Sequence, residues 1–141
     1  MKDPSDSIRD WLYTKLYTKV SYLTAVIPFY SMPPKDAAMP YIAVGEHMMT
    51  GEQGTKDAYI TEHSVDIEIW TSFEGNDASY VMANTIADSV IQILRTRTKQ
   101  TITGYNVIRV LVDNMITDRF LMETNIIIYK SINIRLLMEE N

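Results

Sequence analysis

The chain has 141 residues, 46% of them hydrophobic and 22% charged, which suits one soluble domain with a real core and is short for two. Its net charge of −5 argues against a protein that grips duplex DNA by its phosphates, since that task needs clustered Lys and Arg. The absence of cysteine excludes disulfides, thiolate metal sites and cysteine nucleophiles, and no apolar run approaches the roughly 20 residues of a membrane-spanning helix.

The N-terminal residues Met1 to Ser5 are polar and lack the apolar stretch of a signal peptide. Asp3 is a good N-cap, and Pro4 fits the first helical position. Ile8, Trp11, Leu12, Leu16, Val20 and Leu23 then recur at helical spacing, which predicts a helix over 4–26 that Pro28 ends. Lys15 and Lys19 fall on its polar side. Prolines 28, 33, 34 and 40 make the next stretch an extended connector.

Residues 41–46 read as a short strand. Residues 47–57 contain Gly51 and Gly54, show no periodicity and read as a long loop. A second strand is expected over 58–72, with Val65, Ile67, Ile69 and Phe73 on the buried side. Glu62, Ser64, Asp66 and Glu68 form its wet side. A second helix follows, capped by Asn76 or Asp77, with Tyr80, Ala83, Ala87, Val90, Ile91 and Leu94 as its stripe. Arg95, Arg97 and Lys99 gather at its end, where cations complement the helix dipole.

Thr103 and Gly104 open a third strand, with Ile108, Val110 and Val112 on one side and Arg109 on the other. Residues 113–119 read as a turn, and the last strand is expected from near Phe120. In it Ile126, Ile128, Ile132, Ile134, Leu136 and Met138 share one face, opposite Asn125, Tyr129, Ser131, Asn133 and Arg135. This alternation is far longer than the usual five or six residues. It implies either a bulge or pairing with a neighbouring subunit. The expected fold is α+β in the order α-β-β-α-β-β. It is a mostly antiparallel four-stranded sheet, with room for an extra hairpin, packed by two helices.

The chain carries no Gly-rich phosphate loop and no nucleophile elbow. His47 and His63 each follow a glutamate and would meet if their strands pair, but nothing in their spacing demands a metal. Asp66 and Glu68 share a strand face without a nucleophile or third polar partner beside them. A non-catalytic protein without cofactor, metal or small-molecule substrate is expected.

The run Met39-Pro40-Tyr41-Ile42-Ala43-Val44-Gly45-Glu46 resembles the first strand of small bacteriophage tail-completion proteins. Gly54-Thr55-Lys56, the strand His63-Ser64-Val65-Asp66-Ile67-Glu68-Ile69-Trp70-Thr71-Ser72 and the helix Ala83-Asn84-Thr85-Ile86-Ala87-Asp88-Ser89-Val90 continue the resemblance, which covers residues 5–135. It implies a tail-terminator-like head-to-tail connector: a homo-oligomeric ring in the virion, made in the host cytoplasm. Such a ring would contact portal, adaptor or head-closure proteins and tail proteins. DNA would only pass through its channel, and no membrane would be involved.

A closed ring needs two different contact surfaces on each subunit. Three candidates stand out. The loop His47, Met48, Met49, Thr50, Gly51, Glu52, Gln53, Gly54, Thr55 and Lys56 would dock into a neighbouring ring, or be a floppy hairpin tip. Glu62, Asp66 and Glu68 would line the channel and repel DNA, or be an ordinary wet face. Ile132, Ile134, Leu136 and Met138 would form the subunit interface, or belong to the chain's own core. The alternative function is a small non-catalytic adaptor or tail-assembly chaperone acting as monomer or dimer.

Overall fold

The computed structural model describes residues 2–54, 58–74, 78–96 and 99–141. The chain runs through α1 (Ser5–Leu16), β1 (Ser21–Tyr22), β2 (Ala25–Val26), β3 (Phe29–Tyr30), β4 (Tyr41–Gly54) and β5 (Tyr59–Glu74). It continues through α2 (Val81–Leu94), β6 (Thr101–Ile102), β7 (Tyr105–Leu121) and β8 (Asn125–Glu140). The fold is mostly β, and the expected four-stranded α-β-β-α-β-β arrangement is corrected. One six-stranded sheet has the order β3-β4-β5-β8-β7-β6, and β1 and β2 form a separate hairpin. The large sheet is mixed, because β3 runs parallel to β4 while the other pairs are antiparallel.

Three boundaries differ from the sequence reading for physical reasons. The first helix stops at Leu16: Tyr17 turns extended and Thr18 takes a φ of 61°. Beyond it the chain turns at 17–19 and folds into the β1–β2 hairpin, where the β-branched Val26 suits extended backbone. Val20 is still buried, but Leu23 sits at the hairpin tip, 87% exposed.

The predicted loop is strand as far as Gly54, paired from His47↔Val65 to Gly54↔Tyr59 with one bulge between Met49 and Gly51, and a second bulge precedes it between Val44 and His47. Thr55, Lys56 and Asp57 lie outside the described residues, as do Gly75, Asn76, Asp77 and Arg97. The predicted turn at 113–119 is the middle of β7, and Phe120 belongs to β7 rather than to the last strand. Met48, Met49 and Thr50 on β4, and all of residues 113–121 on β7, are exposed. With neither face buried, nothing selects an alternating pattern, and these strands leave no period-two signal.

Helices α1 and α2 cover one face of the sheet. Ile8, Leu12 and Leu16 of α1 and Ala83, Ile86, Ala87, Val90 and Leu94 of α2 pack on Ile42, Val65, Ile67 and Ile69 and on β8. Ala83 and Ala87 allow the close approach of helix to sheet. Tyr80, expected in this stripe, is 46% exposed at the start of α2, and Ile86 takes the buried position.

β8 lies between β5 and β7, paired with β5 in one unbroken register from Ile60↔Glu139 to Glu74↔Asn125. Ile132, Ile134, Leu136 and Met138 are at most 1% exposed and belong to the chain's own core. They are therefore unavailable to a neighbouring subunit, and the interface reading of these residues is corrected.

Candidate functional site

The sheet face turned away from the helices carries two bands of side chains. One is polar. Glu62, Ser64, Asp66 and Glu68 of β5 stand opposite Leu137, Arg135, Asn133 and Ser131 of β8 in register. Glu62 Oε1 lies 3.4 Å from Arg135 Nη1, and Arg135 Nε lies 3.5 Å from Asp113 Oδ2. Asn133 Nδ2 donates to Asp66 Oδ1 at 2.7 Å and to Ser64 Oγ at 2.6 Å. The Tyr129 hydroxyl donates to Glu68 Oε2 at 3.2 Å.

The three carboxylates predicted to line a channel thus share one face, held in place by β8 side chains rather than waving in water. Gly45 fits here because a Cβ would come within 3.2 Å of both Asp66 and Glu68 side chains. The glycine lets the β5 carboxylates lean over β4.

The second band is aromatic and crosses five strands. Tyr30 meets Tyr41 at 5.8 Å, Tyr41 meets Trp70 at 6.4 Å, and Trp70 meets Tyr129 at 4.5 Å between ring centroids. Phe120 closes the band 6.5 Å from Trp70 and 6.4 Å from Tyr129. Burial pushes the Tyr129 and Tyr41 phenols above their ordinary range, and the nearby Glu68 carboxylate adds to this. Sequence reasoning missed the band. The available signal was that Trp70 and Tyr129 occupy the polar phase of two alternating strands, where a large aromatic ring is out of place.

On the helix side, the two histidines do meet. His47 Nε2 and His63 Nδ1 are 3.0 Å apart, and His63 Nε2 is 2.9 Å from Thr61 Oγ1. They line a half-open cavity of about 380 Å³ together with Lys2, Asp3, Pro4, Ser5, Met49 and Thr61. Burial, together with the neighbouring His47, pushes His63 down to about 4. Burial also lowers His47, helped by Arg9 and opposed by Asp3. Glu62, the carboxylate next to His63, turns to the opposite face and pairs with Arg135. Among the described residues, no group of three His, Cys, Asp or Glu side chains stands where it would hold a metal ion.

Arg95, Lys99 and Arg109 surround an open cavity of about 470 Å³ at the C-terminal end of α2, beside Gln100, which donates to the Leu94 carbonyl. The proposed docking residues are split. His47 faces the cavity under α1, Met48 and Met49 are about half exposed, and Gly51 and Gly54 lie on the distal half of the β4–β5 hairpin.

No protein-family model matches the sequence, and no curated protein matches it. In structure, the chain is similar to a chain of the "virion of native gene transfer agent (GTA) particle". The TM-score is 0.73 at 13% sequence identity, over 99% of this chain and 99% of that one. That likeness extends through both helices and the whole six-stranded sheet, and it establishes a shared fold.

Proposed function

We propose that this chain is a structural virion protein of phage type, the subunit of a homo-oligomeric ring at the head-to-tail junction, without enzymatic activity. The observation that carries this reading is the fold shared end to end with a chain of a gene transfer agent virion. The likeness spans 99% of this chain and 99% of that one. The sequence resemblance to tail-completion proteins supports the same position.

In this reading the Glu62, Asp66 and Glu68 face borders the channel. Fixed carboxylates there repel DNA phosphates and keep a passing genome from adhering. The part of β4 and β5 near Gly54 and Tyr59 faces the portal side or the tail and docks on a neighbouring ring or protein.

The test is a triple charge reversal, Glu62→Lys, Asp66→Lys and Glu68→Lys, in particles that carry this protein. Slower packaging or ejection of DNA is expected. Packaging and ejection at the normal rate would place the face away from the channel.

A further inference from the structure

The outermost strands of the large sheet, β3 and β6, are two residues each and cover little of β4 and β7. At one side β3 pairs with β4 only at Ile42 and Ala43. At the other, β6 pairs with β7 only at Tyr105 and Asn106. Among the described residues, no strand pairs with the outward edge of β4 over 46–54 or of β7 over 114–121. Both stretches carry exposed apolar side chains: Met48 and Met49 on β4, and Met115, Ile116, Phe120 and Leu121 on β7. A long free edge of this kind is a template for strand addition unless something covers it.

We infer that residues 114–121 of β7 pair with residues 46–54 of β4 in a second copy of this chain, so that the sheets of adjacent subunits join edge to edge. This rests on the ring reading above and names its interface.

The sheet itself says what covers each edge. Because β4–β5, β5–β8 and β8–β7 are all antiparallel, β4 and β7 run in opposite directions. A copy rotated about an axis from which the strands tilt by much less than 90° keeps the sense of its strands along that axis. Its β4 therefore arrives antiparallel to β7, the favourable arrangement. One edge of each copy meets the other edge of the next, which is the head-to-tail contact a closed ring requires.

The free stretches are also offset along the strands. Asp118 of β7 is level with Tyr41 at the start of β4, through Tyr129 and Trp70. Joining them demands tilted strands, as every closed sheet has, typically by about 35–45°.

The cysteine-free sequence allows a direct test. Particles are assembled with double variants that combine Met48→Cys or Thr50→Cys with Asn114→Cys, Ile116→Cys or Asp118→Cys. Facing residues of an antiparallel pair lie within disulfide reach. All five sites are exposed, so folding should survive the changes. After oxidation, at least one double variant should give a ladder of cross-linked multimers on a non-reducing gel, while each single variant stays monomeric. Dimers from the β7 single variants would show two-fold self-pairing and overturn the proposal. A ring seen in the particles with no ladder from any pair would overturn this interface and leave the ring reading standing. Particles lacking the chain altogether would remove both.

Discussion

Trp70 and Tyr129 are direct partners across β5 and β8, with ring centroids 4.5 Å apart, and two residues further along the same strands Glu68 faces Ser131. The outer face of the sheet therefore changes from aromatic to polar within one repeat of the strand. The aromatic end gives rigid contact area, and the polar end gives fixed charge.

A double-mutant cycle on this pair tests the aromatic band. Trp70→Ala and Tyr129→Ala should each destabilise the fold, with a coupling of about 0.5–1.5 kcal/mol between them. Urea denaturation of the two single variants and the double variant measures it. Strict additivity would show that the rings do not support one another.

Leu136 separates core from interface. Leu136→Ala should cost about 2–5 kcal/mol in urea unfolding of the isolated chain, as truncation of a buried leucine does. If it served only as a contact between subunits, the midpoint would stay unchanged and assembly alone would suffer.

His63 gives a pH signature. Its pKa is lowered on folding from 6.5 to about 4. Between those values the unfolded chain takes up a proton that the folded chain refuses, so the histidine's effect on stability is neutral above about pH 6.5 and grows more unfavourable as pH falls towards 4. Wild type should lose more stability between pH 7 and pH 5 than His63→Gln does. Parallel pH profiles from the two proteins would place the imidazole in water.

The polar band carries unequal weights. Arg135 and its carboxylate partners are part exposed, and Arg135→Ala should cost no more than about 1 kcal/mol. Asn133 bonds both Asp66 and Ser64; Asn133→Ala should cost about 1–3 kcal/mol, because it strands a half-buried carboxylate and hydroxyl. Thermal unfolding of the two variants ranks them, and a larger loss from Arg135→Ala would reverse this assignment.

The sequence announced those elements that have one face in the core. Val65, Ile67 and Ile69 alternate with Glu62, Asp66 and Glu68, and Ala83, Ala87, Val90 and Leu94 recur at helical spacing; these became β5 and α2. The distal halves of β4 and β7 were illegible, because they are held by ladder bonds to β5 and β8 while exposing both faces. Helical spacing misled at Val20, which is buried through the β1–β2 hairpin rather than through α1. Of the candidate site, the carboxylate face was readable from alternation. Its partners on β8 were not, because only the register of two strands far apart in sequence brings Asn133 to Asp66.

The most direct test of the central claim is cryo-electron microscopy of particles that carry this protein, with its density identified. The account predicts a ring of identical copies at the junction of head and tail, with Glu62, Asp66 and Glu68 bordering the channel. Particles without this chain, or with it placed singly and away from the channel, would contradict it.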